Sequence, residues 1–328
     1  MGLLVNGEWK DRWYDTKTSG GRFVRQDASF RGRIGEGEVL PAAPGRYHLY
    51  VSWACPWAHR TLLFRALKGL TEVISVSVVE PLMLEDGWTF SEALPDHLYG
   101  HGFLHQLYTR AKPDYTGRVT VPVLWDRETG RIVNNESSEI IRIFNRAFDA
   151  WGDASLDLWP EDLREEIEAV NQRVYHTVNN GVYKAGFATT QSAYEEAVTA
   201  LFETLDWLEE RLSAQPWLVG DRLTEADWRL FTTLVRFDPV YHGHFKCNLR
   251  RLVDFPNLWS YTRALYQAPG VAETVHLDHI KRHYYASHRT INPTGIVPLG
   301  PALDLNAPHD RGRFGRAGAD PLWTARRG

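Results

Sequence analysis

Residues 52–60 read SWACPWAHR. Dithiol redox motifs have the form Cys-x-x-Cys. Here Cys55 is followed by Pro56, Trp57 and Ala58, so an alanine stands where the second thiol would be. Upstream, RYHLYVS (46–52) alternates and predicts a strand. Downstream, PWAHRTLLFRALKGL (56–70) predicts a helix, with Pro56 in its first turn and Gly69 near its end. Cys55 is therefore expected at a strand-to-helix junction. Unpaired N–H groups and the helix dipole favour an anion there. A thiol so placed is expected to have a lowered pKa and to be partly thiolate near neutrality. The missing cysteine removes internal resolution, not nucleophilicity. A mixed disulfide on Cys55 has to be released by a thiol from outside.

Working outward, VISVSVV (73–79) predicts a buried strand. VTVPVLWD (119–126) and RIVN (131–134) flank the turn RETG and predict an antiparallel hairpin. ESSEIIRIFNRAF (136–148) predicts a short helix. The order is β-α-β, then β-β-α, which is that of the thioredoxin fold, with a long insert at 80–118. Beyond residue 150 the periodicity is helical. Leu163, Ile167, Val170, Val174 and Val178 step by three or four, as do Ala197, Leu201, Leu205, Leu208 and Leu212. Thr224 and Asp227 predict a reciprocal helix cap.

The expected fold class is α/β plus all-α. A thioredoxin-like domain at 46–150 precedes a helical domain at 155–290. Residues 1–45 are read as an extension wrapped on the surface. Residues 291–328 are read as a tail whose five arginines after Asp310 form a solvated, mobile end. No internal repeat is present.

The chain has 328 residues, 43% of them apolar, enough for two modest domains with real cores. A net charge of −4 gives no support to polyanion binding, so no nucleic-acid partner is expected. Cys55 and Cys247 are the only two cysteines, which argues against a disulfide framework and a cysteine zinc site. That usage suits a reducing compartment, hence a cytoplasmic location, where glutathione is the abundant external thiol. The start MGLLVNGEWK lacks the pattern of a secretory signal, and Asn6 breaks the myristoylation pattern. No apolar run approaches a membrane span. No G-x-G-x-x-G follows a strand and no H-E-x-x-H occurs, so no metal, flavin or nicotinamide is expected.

Three further features surround Cys55. Pro122 interrupts TVPVL, and proline is unwelcome inside a central strand. In this fold a cis proline there exposes the preceding backbone, so Val121 is available to pair with an extended peptide such as glutathione. NNES (134–137) ends a strand and opens a helix, where carboxylates bind. Ser137 offers a hydroxyl and an N–H, and Glu136 is available to an ammonium. A plain cap by Asn135 or Ser137 uses the same segment, and capping together with ligand binding is the reading adopted. His59, one turn along the helix, is within possible reach of the thiolate, but His59 and Arg60 are expected at the helix surface or on a backbone group. Cys247 is read as structural.

The chain resembles the glutathionyl-hydroquinone reductases, the xi class of glutathione transferases. The resemblance runs over nearly the whole length. It includes SWACPWAHR, GWTF, RVTVPVLWD, NNESSEIIRIFN, NNGVYKAGFA, LTEADWRLFTTLVRFD, HFKCNL, HIKRHYYASH and NPTGIVPLGP. It implies that Cys55 is the nucleophile. It implies a glutathione site of Trp88, Arg118, Val119, Thr120, Val121, Glu136 and Ser137. It implies a second-substrate pocket of Tyr183, Tyr241 and Tyr284, with Tyr183 as proton donor. Tyr284 and Tyr285 compete for the last place. On spacing alone Tyr183 reads as a core aromatic, although Gly181 and Gly186 flank it and suggest a kink beside a cleft.

The implied reaction is reduction of a glutathionyl-hydroquinone through a Cys55–glutathione disulfide, resolved by a second glutathione. Glutathione is then a co-substrate. A homodimer is expected by the same resemblance. The rival reading is an omega-type thiol transferase or dehydroascorbate reductase. The insert with Trp88 and the segments GVYKAGFA and HIKRHYY argue against it. A non-catalytic binding module is disfavoured by the intact cysteine and glutathione site.

Overall fold

The computed structural model describes residues 2–35 and 37–326. Two short strands open the chain, β1 (Leu3–Val5) and β2 (Glu8–Lys10). Then follow β3 (Tyr47–Val51), α1 (Pro56–Leu67), β4 (Ser75–Val78), α2 (Leu104–Ala111), β5 (Gly117–Arg118), β6 (Val123–Asp126), β7 (Arg131–Asn134) and α3 (Ser137–Arg146). The main sheet has the order β4-β3-β6-β7. β3 runs parallel to β4 and antiparallel to β6, and β6–β7 is the expected hairpin. All five residues of β3 are buried, which requires cover on both faces of the sheet. The polar member of that strand, His48, is satisfied at both ring nitrogens by the Ser75 and Ser77 hydroxyls, at 2.7 and 2.8 Å.

α1 follows from its sequence. Pro56 fills N1, where a missing N–H costs nothing. Gly69 at φ +67° ends the helix in the left-handed conformation that glycine adopts without strain. Lys68, at the same end, is fully buried. Its ammonium donates to Asp149 Oδ1 and to the carbonyls of Asp153 and Leu156, tying α1 to the interdomain linker.

The helical half comprises α4 (Arg164–Val174), a π-helical turn at Tyr175–Asn179, α5 (Gly181–Gly186), α6 (Gln191–Ala214), α7 (Glu225–Leu234), a second π-helical turn at Phe237–Tyr241, α8 (Pro256–Tyr266) and α9 (Leu277–Ser287). Ile167, Val170, Val174 and Val178 are buried, as is the whole Ala197–Leu212 stripe; Leu163 is half-buried. Thr224 and Asp227 form the reciprocal cap of α7. Asp227 Oδ2 accepts from the Thr224 N–H at 2.8 Å, and its Oδ1 accepts from the Leu218 N–H and the Tyr261 hydroxyl. No helix among the described residues is long and apolar enough to cross a membrane.

Two terminal segments differ from expectation. The first 45 residues are not only a surface wrap. β1 pairs with β5 inside the long insert, giving a second sheet of order β2-β1-β5, and Leu4, Phe23 and Ile34 are buried. Residues 22–29 cross the cleft between the two halves.

The arginine-rich tail is likewise folded down. It forms α10 (Arg316–Ala319) and α11 (Pro321–Thr324). Arg311 is fully buried and donates to the Leu212 and Gln215 carbonyls at the end of α6. Helix C-termini leave carbonyls without intrahelical donors, and an arginine fork is well shaped to supply them. Arg326 pairs with Asp153 at 2.8 Å, and Arg316 lies over the Trp323 ring. The fifth arginine, Arg327, lies outside the described residues.

Candidate active site

Cys55 is the N-cap of α1, with extended φ and ψ of −76° and 122°. Its Sγ lies 3.7 Å from the Val121 carbonyl. Burial pushes the thiol up, against the expectation of a lowered pKa. The backbone N–H groups of Ala58 and Trp57 and the charges of Arg236 and Arg25 pull the other way without outweighing it. The amides at the helix terminus lower the thiol pKa as expected but are too weak against desolvation.

His59 and Arg60 are not at the surface; both are buried in the interdomain seam. His59 Nδ1 accepts from Arg236 at 2.9 Å, and its Nε2 faces Thr274 Oγ1 at 2.8 Å. The Thr274 hydroxyl itself donates to the Val271 carbonyl, so the imidazole is the neutral Nε2–H tautomer. Burial and Arg236 hold His59 far below the usual histidine range. With both nitrogens engaged, it is no base for Cys55. Arg60 reaches Asn179 Oδ1 at 2.9 Å and Ser137 Oγ at 3.4 Å. Burial lowers its pKa to about 9.

Arg236, just beyond α7, carries no signal in the sequence. It is fully buried and donates to the Ala54 and Trp53 carbonyls at 2.9 and 3.1 Å, and to the Thr232 carbonyl at 2.8 Å. All its acceptors are neutral. It thus clamps the turn that carries Cys55 and leaves a net positive charge beneath it.

On the opposite wall the Val121–Pro122 peptide is cis. Tyr108 Oη donates to the Thr120 carbonyl at 2.8 Å and accepts from the Thr120 N–H at 3.2 Å. Thr120 is therefore occupied on both sides. Among the described residues no group hydrogen-bonds the Val121 N–H. At the start of α3 the cap falls on Glu136, not on Asn135 or Ser137: Glu136 Oε1 accepts from the Ser138 N–H at 3.0 Å. Asn135 instead ties residue 30 of the N-terminal segment to the sheet. Glu136, Ser137, Thr120, Val121 and Arg118 line a cleft of about 380 Å³. Arg118 donates to the Arg12 carbonyl at 2.5 Å and lies 4.0 Å over the Tyr14 ring, so the N-terminal segment positions it.

The three expected tyrosines converge. Tyr183 Oη and Tyr284 Oη are 2.5 Å apart, and Tyr241 Oη is 3.1 Å from Tyr284 Oη. Burial raises all three, Tyr183 to about 12 and the others well above 10. Tyr285 points elsewhere, with its hydroxyl on the Pro239 carbonyl. Tyr183 follows the first π-helical turn and Tyr241 ends the second, so each is re-aimed by a local bulge. Gly186 is needed behind them: a Cβ there would stand 2.2 Å from the Phe245 ring, which stacks on Tyr241.

Cys55, Val121, Trp88, Tyr183 and Tyr284 line one pocket, together with Arg25. Trp88 is held by stacking on His283 at 4.9 Å. Tyr241 backs this pocket through Tyr284, and Arg118, Glu136 and Ser137 belong to the adjoining cleft. Cys247 is buried, and burial pushes its thiol up strongly. Among the described residues no group of three His, Cys, Asp or Glu is placed to hold a metal.

Two family models match, "Glutathione S-transferase, N-terminal domain" over residues 54–147 and "Glutathione S-transferase, C-terminal domain" over 191–264. The glutathionyl-hydroquinone reductase PcpF of Sphingobium chlorophenolicum is 60% identical over 308 residues, covering 93% of this chain and 98% of the relative. The chain belongs to the glutathionyl-hydroquinone reductases, the Xi class of glutathione transferases.

A second reductase of this name, YqjG of Escherichia coli, is 56% identical over 96% of this chain and 100% of its own. Its glutathione-bound structure matches with a TM-score of 0.87, covering 96% of this chain and 100% of that one at 52% identity. A Xi-class transferase from Natrialba magadii matches at a TM-score of 0.91 and 51% identity, covering 95% of this chain and 98% of that one. The thioredoxin-like and helical halves described above are those of the Xi class. Arg236 and Arg25 leave no motif in the sequence; both act through neutral carbonyls, amides or ring faces, which have no characteristic spacing.

Proposed function

We propose that this protein reduces glutathionyl-hydroquinones to hydroquinones, with glutathione as co-substrate. What supports this reading is one pocket that joins Cys55 to a linked tyrosine cluster. The peptide arm of the substrate lies in the 380 Å³ cleft. Its main chain adds to the free Val121 N–H by strand addition. Glu136 takes the ammonium, and Ser137, at the N-terminus of α3, takes the neighbouring carboxylate. Arg118, Trp88, Val119 and Thr120 complete the glutathione site.

The ring lies against Tyr183, Tyr241 and Tyr284. The Cys55 thiolate attacks the glutathionyl sulfur, and the ring carbon leaves. A tyrosine whose pKa is about 12 stays protonated at neutral pH, so Tyr183 is a proton donor rather than a base. The product is hydroquinone and a Cys55–glutathione disulfide. A second glutathione attacks that disulfide, releasing oxidised glutathione and the Cys55 thiol. Ala58 leaves no internal thiol to compete for that step.

Intact-mass measurement after one turnover with glutathionyl-menadiol tests the reading. A glutathione adduct on the wild type that is absent from Cys55→Ala supports it. Turnover by Cys55→Ala would sink it. Faster turnover of dehydroascorbate than of glutathionyl-menadiol would favour the omega-type reading. A cytoplasmic location fits the need for reduced glutathione, and the homodimer expected for the family is tested by sedimentation.

A further inference from the structure

Arg25 comes from the N-terminal segment that crosses the cleft. It is half-buried, and its guanidinium stands 4.8 Å from the Trp57 ring, 5.0 Å from the Tyr183 ring and 5.5 Å from the Phe23 ring. Its Nε donates to Asn180 Oδ1 at 2.8 Å. Asn180 follows the same π-helical turn that aims Tyr183, so one element sets both side chains. Among the described residues the two terminal nitrogens of Arg25 make no hydrogen bond and no ion pair. Arg25 borders the Cys55 pocket, the peptide cleft and an adjoining cavity of about 470 Å³. It is thus a cation with spare donors at the point where the three meet.

We propose that Arg25 is a catalytic residue of the hydroquinone-releasing step, donating to the ring oxygen on which charge gathers as the ring leaves. This rests on the activity proposed above. In that step the Cys55 thiolate gives an electron pair to the glutathionyl sulfur, and a sulfur–sulfur bond forms. The sulfur–carbon bond of the keto tautomer breaks, and its electron pair passes into the ring. The ring carbonyl becomes a phenolate oxygen, which then takes one proton to give the hydroquinone. The two sulfurs are oxidised to a disulfide and the ring carbon is reduced. Negative charge therefore moves from the thiolate to a ring oxygen, and a fixed fork of donors aimed at its destination favours the transition state. Tyr183 alone offers one hydroxyl hydrogen, which it shares with Tyr284. The positive charge of Arg25 offsets part of the rise that burial gives Cys55 and Tyr183, so its field reaches both.

The test compares two first half-reactions through the same cysteine, in the full chain and without free glutathione. One uses glutathionyl-menadiol, whose leaving group is a ring. The other uses the mixed disulfide of glutathione and mercaptoethanol, whose leaving group is a thiolate. Arg25→Met is expected to lower the ratio of the first rate to the second on the order of a hundredfold. Arg25→Lys, which keeps the charge but not the fork, is expected to recover part of it. Equal slowing of both substrates, or no slowing, would overturn the assignment; the mixed disulfide reports any general loss of fold. If the wild type itself releases no menadiol, the proposed activity falls, and this role with it.

Discussion

The Tyr284 hydroxyl lies between those of Tyr183 and Tyr241, at 2.5 and 3.1 Å. A single hydroxyl donates once, so the three cannot be independent donors. Tyr183→Phe is expected to slow hydroquinone release on the order of a hundredfold, as loss of a general acid does. Tyr241→Phe and Tyr284→Phe are expected to be non-additive, since the first acts through the second. A double-mutant cycle on single-turnover rates checks this, and strict additivity would separate the two.

Arg236 binds the carbonyls immediately before Cys55 and places a cation beneath it. Alkylation of Cys55 followed against pH should titrate above the value of about 8.5 for a free cysteine, because burial dominates. Arg236→Met should raise that midpoint further, and Arg236→Lys should restore part of the shift. An unmoved midpoint in Arg236→Met would leave it a purely mechanical clamp.

Gly186→Ala places a methyl group 2.2 Å from the Phe245 ring. Overpacking of this kind costs about 1–3 kcal/mol. Urea unfolding should show that loss, and Phe245→Leu in the same chain should recover much of it by making room.

Asp227 accepts four hydrogen bonds in a fully buried site. Asp227→Ala leaves several donors unsatisfied and should cost about 3 kcal/mol or more by denaturant titration. Burial raises this carboxyl to about 6. Between pH about 4, where an unfolded aspartate ionises, and about 6, the folded chain holds the extra proton. This group's contribution to stability therefore falls as pH rises through that window. Asp227→Asn should flatten that part of the stability profile.

Much of this was legible in sequence. CPWA announces a monothiol site because its chemistry is written in adjacent residues. The Thr224–Asp227 cap is local for the same reason. Arg236 was not legible, because the carbonyls it clamps before Cys55 lie 182 and 183 positions away and every residue carries a carbonyl. Arg311 escaped likewise: a run of arginines and glycines reads as solvated until the exposed end of α6 is known to need donors. The thiol pKa was not legible, because the amides at the helix start are visible in sequence, whereas the burial that outweighs them is a property of both halves together.

The pocket draws its walls from almost the whole chain, from Tyr14 and Arg25 near one end to Tyr284 and His288 near the other. During synthesis Cys55 leaves the ribosome long before Tyr183, Tyr241 and Tyr284 are made. The unfinished chain therefore carries the nucleophile without the tyrosine cluster that the ring needs. Tyr284 is supplied by α9, so a chain interrupted before that helix lacks the hydroxyl that joins Tyr183 to Tyr241.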